Sequence, residues 1–254
     1  MTKSLIASRT SSYAPFESLA YEHLARIGIR HVEILVPTPD NLDKTCTELE
    51  RYGLIASSLH GECEVSRSDI ATQIANQMPA FQRLGARFMF VSVKAGDIPR
   101  STVYQRLREA GDVAADQGVT IVLETHPDLI TNGEIARQTM EAVNHPHVRV
   151  NFDTANVYFY NHDVNAVDEL RRVVDFVASI HLKDTDGGFE SWHFPALGRG
   201  VVDFGTIFEL LDDAGFSGPC TLEIEGLEGE TKTRQLVCDR IAESLAYLRK
   251  LGRV

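Results

Sequence analysis

Short apolar or β-branched runs recur along the 254 residues at a spacing of roughly thirty, and a helical pattern follows each one. The runs are SLIAS (4–8), HVEIL (31–35), LIASSL (54–59), RFMFVSV (87–93), VTIVLET (119–125), VRVNF (148–152), VASIHL (177–182) and CTLEIE (220–225). Between them, Phe16, Leu19, Ala20, Leu24 and Ile27 keep the i, i+3, i+4 period of a helix, as do Val237, Ile241, Leu245 and Leu248. Gly28, Gly53, Gly85, Gly118 and Gly215 stand where helices need a left-handed residue to stop. Eight strand–helix units in one chain predict an α/β fold, a single-domain (β/α)8 TIM barrel over residues 1–254. The competing open, doubly wound sheet normally carries a glycine-rich nucleotide fingerprint after its first strand. RTSSYAPFES (9–18) contains no glycine.

Charge narrows the partners. With 36 acidic against 25 basic residues the net charge is −11, which disfavours a nucleic-acid binder because phosphates must be neutralised. Cys46, Cys63, Cys220 and Cys238 form no CxxC pair and no disulfide-dense pattern, so a reducing, cytoplasmic setting is expected. The first residues carry too short an apolar run for a signal-peptide core, and no apolar stretch approaches membrane-spanning length, so no membrane partner is expected.

In a barrel the catalytic groups stand at the C-terminal strand ends. The third run leads to His60, the fifth to Glu124, Thr125 and His126, the sixth to Asp153 and then Asn156, the seventh to His181 and Lys183, and the eighth to Glu223 and Glu225. Residues two apart share a face, so Glu124 goes with Val122, Asp153 with Asn151, His181 with Ser179 and Glu223 with Thr221. These polar sets are expected to face the barrel interior, and a one-residue slip in register would reverse every assignment. Taken singly, a strand-end glutamate is usually solvated and a histidine usually a hydrogen-bonded core group. Glu124, Asp153, His181 and Glu223 at four successive strand ends instead suggest a metal site. Three carboxylates with one imidazole suit a divalent ion, Mn²⁺ first, then Mg²⁺ or Co²⁺, better than a structural zinc. A cation also lets crowded carboxylates stay ionised.

VLETH (122–126), NFDTAN (151–156), HLKD (181–184), LGRGVVDF (197–204), GFSGPCTLEIEG (215–226) and SLH (58–60) occur in an order that resembles the xylose-isomerase-like barrel superfamily. The resemblance is to its sugar phosphate isomerase/epimerase branch, which includes ketose 3-epimerases, hydroxypyruvate isomerases and inosose dehydratases. It implies a divalent metal held by Glu124, Asp153, His181 and Glu223, with Glu223 rather than Glu225 at the ligand position. It also implies substrate contacts at His60 and Arg199, joined by Asn156 and Lys183 as substrate-binding candidates. Abasic-site DNA endonucleases share the superfamily but place a histidine ligand where this chain has Asn156, which argues against a nuclease.

The expected activity is isomerisation or epimerisation of a small-molecule keto sugar or related polyol ketone, through a metal-stabilised enediolate with Glu124 and Glu223 as acid and base. A metal-dependent lyase or dehydratase acting on an inosose or 3-keto-glycoside uses the same groups and is the alternative. A non-catalytic sugar-binding or accessory subunit is the third. No glycine-rich phosphate cradle is visible, which favours an unphosphorylated sugar, and assembly stays open, a homo-oligomer included.

Overall fold

The computed structural model describes residues 4–254. Eight parallel strands close into a barrel: β1 (Leu5–Arg9), β2 (His31–Leu35), β3 (Ile55–His60), β4 (Phe88–Val91), β5 (Thr120–Glu124), β6 (Val148–Asp153), β7 (Val177–Leu182) and β9 (Pro219–Leu222), the last pairing back onto β1. A two-stranded antiparallel pair, β8 (His193–Phe194) with β10 (Gly226–Leu227), ties the loop after β7 to the loop after β9. The outer ring is α1 (Ala20–Ile27), α2 (Pro39–Tyr52), α3 (Ile70–Leu84), α4 (Arg100–Ala115), α5 (Gly133–Val143), the single turn α6 (Asn156–Phe159), α7 (Ala166–Val173), α8 (Phe204–Asp213) and α9 (Arg234–Lys250). Among the described residues no helix is long and apolar enough to cross a membrane.

The eight expected runs are the eight barrel strands, two of them (31–35 and 177–182) with the same ends and the rest with ends displaced by at most three residues. The eighth differs most: β9 stops at Leu222, so Glu223 and Glu225 lie beyond the ladder in the loop that reaches β10. Gly28, Gly53 and Gly85 occupy left-handed C-caps, with φ of +93°, +62° and +69°. Gly118 and Gly215 are also left-handed, but the helices before them end earlier, at Ala115 and Asp213. The first helix is preceded by a 3-10 turn over Glu17–Leu19, so Phe16 and Leu19 lie outside it.

The register settles which face looks inward. His181 on β7 reaches Glu33 on β2, strands that are not neighbours, so that contact runs through the barrel interior. Asp153 pairs level with His181, which pairs with Thr221. One inward step below, Ser179 Oγ donates to Asn151 Oδ1 at 2.6 Å, and across the barrel Ser58 Oγ donates to Glu33 Oε2 at 2.7 Å. The alternate residues Leu123, Phe152, Ile180, Leu182 and Leu222 face out and join the helices in the apolar core. A slipped register would bury the polar set against those helices, which is the physical reason the interior remains the polar side.

Where strand meets loop, packing leaves no room for a side chain at Gly218. A Cβ there would lie 1.9 Å from the Ala178 carbonyl oxygen at the base of β7. Gly218→Ala is expected to cost about 1–3 kcal/mol through forced displacement of β9, read as a lower melting temperature; an unchanged melting curve would show that the strand entry is not close-packed.

Candidate metal centre

Each donor is fixed by its own strand end. Asp153 closes β6, and the chain turns so that its Oδ1 accepts from the backbone N–H of Ala155 and of Asn156, both at 2.8 Å. That leaves Oδ2, fully buried and without a hydrogen-bond partner, directed at the barrel axis. His181 stands between two carboxylates. Its Nε2 lies 3.3 Å from Glu33 Oε2, while its Nδ1 lies 2.9 Å from Glu223 Oε2 without hydrogen-bond geometry. An imidazole that donates from Nε2 to a carboxylate keeps a lone pair on Nδ1, which is how metal-bound histidines are oriented.

Glu223 is held from its other side. Its Oε1 accepts from the Arg9 guanidinium, which also sits 3.5 Å from Glu33 and 2.9 Å from His60 Nδ1, and stacks over Phe90. Glu124 accepts from Asn156 Nδ2 at 3.3 Å, and the same amide accepts from Lys183 Nζ at 3.1 Å. Lys183 pairs with Glu225, lies 4.2 Å from the centre of the Phe194 ring, and stands 3.9 Å from both Asp153 Oδ2 and Glu223 Oε2.

The donor atoms of Glu124, Asp153, His181 and Glu223 all lie within 4.8 Å of one another. Opposite ligands of one small divalent ion are about 4.2 Å apart at bonds of about 2.1 Å, so the spacing is near that of a single coordination shell. Three of these donors, Asp153 Oδ2, His181 Nδ1 and Glu223 Oε2, are buried without a hydrogen-bond partner. Buried polar atoms are rarely left so. Their convergence fits a cation, and these residues therefore suit the metal implied by the sequence pattern.

Charge points the same way. Five carboxylates (Glu33, Glu124, Asp153, Glu223, Glu225) face two permanent cations (Arg9, Lys183) and one imidazole. Burial, reinforced by Glu223, raises the Glu124 carboxyl above its ordinary value. Burial likewise pushes Asp153 up to about 7, with Glu223 and Glu124 adding to it against the pull of Lys183 and His181. For His181 burial opposes the charged ring, but Glu33 and Glu223 outweigh it and raise the imidazole to about 10. Glu223 is held well below the carboxylate range despite burial, because Lys183, Arg9 and His181 surround it. Protons thus occupy the cluster where a divalent ion would otherwise supply positive charge.

A cavity of about 240 Å³ reaches Glu124 and Glu223 and is lined by the polar groups of Arg9, Ser92, Lys183 and Glu225 and the rings of Phe159, Tyr160, Trp192 and Phe194. Of the sequence-predicted site residues, the structure brings together Glu124, Asp153, His181, Glu223, Asn156 and Lys183. His60 lies one layer out: its ring accepts from Arg9, and burial beside that cation lowers it to about 4, so it is neutral. Arg199 is not brought to the cluster. Its guanidinium is exposed and pairs with Glu243 on α9. The glycines around it instead deliver backbone N–H groups of Gly198 (2.9 Å) and Gly200 (2.8 Å) to the buried Asp184, so that LGRG fastens the loop after β7. The Tyr158 hydroxyl accepts from the Ala166 N–H at 3.1 Å, which ties α6 to the start of α7. Arg9 and Glu33 were not picked out from the sequence, although an arginine ending one apolar run and a glutamate at the centre of another were both visible there.

The family described as xylose isomerase-like TIM barrel matches residues 21–251. An L-ribulose-5-phosphate 3-epimerase from Salmonella typhimurium is 30% identical over 133 residues, which is 52% of this chain and 45% of that protein. The chain therefore aligns with about half the length of that curated relative. Among solved structures, a D-allulose 3-epimerase from Methylomonas sp. in complex with D-allulose superimposes with a TM-score of 0.75 at 18% identity, covering 98% of both chains. A 3-keto-D-glucoside 4-epimerase from E. coli does so with 0.74 at 20% identity, covering 98% of this chain and 100% of the other. At these identities the superpositions speak to the fold alone.

Two outcomes follow from the donor geometry. Glu33→Gln, which keeps the shape but weakens the acceptor that orients His181, is expected to lower Mn²⁺ affinity about 10–100-fold in a calorimetric titration; unaltered affinity would mean that His181 is not a ligand through Nδ1. Metal uptake must displace the protons that the metal-free cluster keeps on Asp153 and His181, so affinity is expected to climb with pH, more steeply below about 7 than above it, where the Asp153 proton is already gone and that of His181 remains. Affinity independent of pH between 5 and 8 would contradict a protonated metal-free cluster.

Proposed function

The chain belongs to the xylose isomerase-like TIM barrel family, and from that premise we propose that it is a divalent-metal-dependent isomerase or epimerase acting on a keto sugar or a related polyol ketone. The observation that carries this reading is the convergence of buried, partnerless donors from Asp153, His181 and Glu223 beside Glu124, at a cavity of about 240 Å³. A divalent ion held by these four residues, Mn²⁺ before Mg²⁺ or Co²⁺, supplies Lewis acidity that polarises a carbonyl and acidifies the adjoining C–H.

The chain's own groups then move the proton. Glu223, kept ionised by Lys183 and Arg9, is the carboxylate in the proton-accepting form, although the same cations weaken it as a base. Glu124, raised by burial and steered by Asn156, is the partner able to hold and return one. Return to the opposite face of the same carbon inverts it, and return to the neighbouring carbon exchanges aldose for ketose. Lys183 is a poor proton donor here: although burial favours its neutral form, Glu223, Asp153 and Glu225 outweigh it and raise the ammonium above its ordinary range. Its role is to hold a substrate oxygen as a fixed positive charge, while the dehydratase alternative would draw the proton for its departing hydroxyl from Glu124. Phe159, Tyr160, Trp192 and Phe194 supply an apolar wall against the C–H face of a sugar and exclude water. The four free cysteines agree with a cytoplasmic enzyme.

With Mn²⁺ bound, a panel of ketoses in D₂O is expected to show deuterium entering the carbon beside the carbonyl. Glu124→Gln and Glu223→Gln are each expected to reduce that exchange by about 10²–10⁴-fold. Exchange undiminished in both variants would refute the acid–base assignment, and sugar binding with no exchange in the parent protein would indicate an accessory subunit.

A further inference from the structure

The cavity at the metal cluster is small. At about 240 Å³ it falls below the roughly 300–1,000 Å³ common for complete ligand pockets, so it accommodates one compact sugar unit. A second and larger cavity, of about 590 Å³, lies beside it under the loop after β3. Ser92 lines both, and the wall between them is the Arg9–His60 contact at 2.9 Å, with Arg9 facing the first cavity and His60 the second. No element of the proposed chemistry uses the larger space.

Its outer wall is built rather than loose. The Gln77 side chain accepts from Glu62 N and donates to Glu62 O, both at 2.8 Å, and Gln73 makes the same pair of contacts with Glu64 at 3.1 and 3.4 Å. Arg106 on α4 donates to the carbonyl oxygens of Val65 (2.6 Å) and Ser66 (3.0 Å). Two helices therefore hold the loop in the shape that makes the cavity, so little ordering remains to be done on binding. The lining is polar and of mixed sign, with Ser66, Ser92 and Lys94 against Glu62 and Glu64. One ammonium among two carboxylates does not favour a phosphate, whereas hydroxyl groups find donors and acceptors of both kinds.

We propose that the cavity of Ser66, Ser92 and Lys94 is a subsite for a neutral glycosyl group, so that the preferred substrate is a glycosylated ketose with its keto unit over Glu124 and Glu223. This rests on the keto-sugar reading above and names its substrate class.

The test uses the full-length protein with Mn²⁺, comparing calorimetric affinity for D-fructose with that for two keto-disaccharides, isomaltulose and lactulose. At least one disaccharide is expected to bind about tenfold or more tightly than D-fructose. Ser66→Trp fills the second cavity from an exposed position, and is expected to remove that gain while leaving D-fructose affinity within about twofold. Lys94→Ala should reduce the gain several-fold. D-Fructose binding with no gain for either disaccharide, or a gain that survives Ser66→Trp, overturns the subsite and leaves the isomerase reading standing. A phosphorylated ketose whose advantage over its free form vanishes in Lys94→Ala also overturns it, in favour of an anion site. Failure of every ketose to bind overturns the isomerase reading and the subsite with it.

Discussion

Carboxylates crowded inside a protein need positive charge, and the upper half of this barrel is arranged around that need. Glu124, Asp153 and Glu223 converge on His181 within a space of less than 5 Å, all buried. Arg9 and Lys183 offset part of the charge from two sides, and His181 itself is held between Glu33 and Glu223. With the imidazole neutral, the five carboxylates exceed these two cations by three charges, most of which one divalent ion would balance. The polar interior below, with Ser58 on Glu33 and Ser179 on Asn151, keeps the supporting groups hydrogen-bonded, so that the unsatisfied atoms collect at the cluster.

Charge balance also sets the two glutamates apart, as the proposed division into proton acceptor and proton donor requires. Glu223 has Arg9 on one oxygen and faces His181 with the other, which stabilises its ionised form. Glu124 has only an amide partner, Asn156, and feels Glu223 as a like charge. Two carboxylates in unlike environments are the usual basis for paired acid and base roles. Asn156 links Glu124 to Lys183 through its side-chain amide and reaches Asp153 through its backbone N–H, which sets the three side chains in one hydrogen-bonded unit.

The barrel was visible in the sequence because its strands are short, apolar and separated by helices that stop at glycine. The four donors were visible for a related reason: each stands within two residues of the end of a run, and two-residue alternation assigns them one face. Arg9 and Glu33 were hidden because their importance lies in contacts that local patterning does not carry, Arg9 to Glu223 across 214 positions and Glu33 to His181 across 148. Arg199 shows the opposite difficulty. A glycine-flanked arginine in a loop reads as a substrate contact, but the flanking glycines serve backbone N–H groups that fasten Asp184, and the side chain is left at the surface. The second cavity could not be anticipated either, since it depends on how Gln73, Gln77 and Arg106 pull the 61–66 loop into place.

On the reading proposed above, one divalent ion completes this cluster. Anomalous diffraction from a Mn²⁺-soaked crystal tests it most directly. A single strong peak is expected at bonding distance from Glu124, Asp153, His181 Nδ1 and Glu223, with Lys183 remaining on Glu225. A peak elsewhere, or a cluster that excludes Mn²⁺ because Lys183 has moved into its centre, would contradict it.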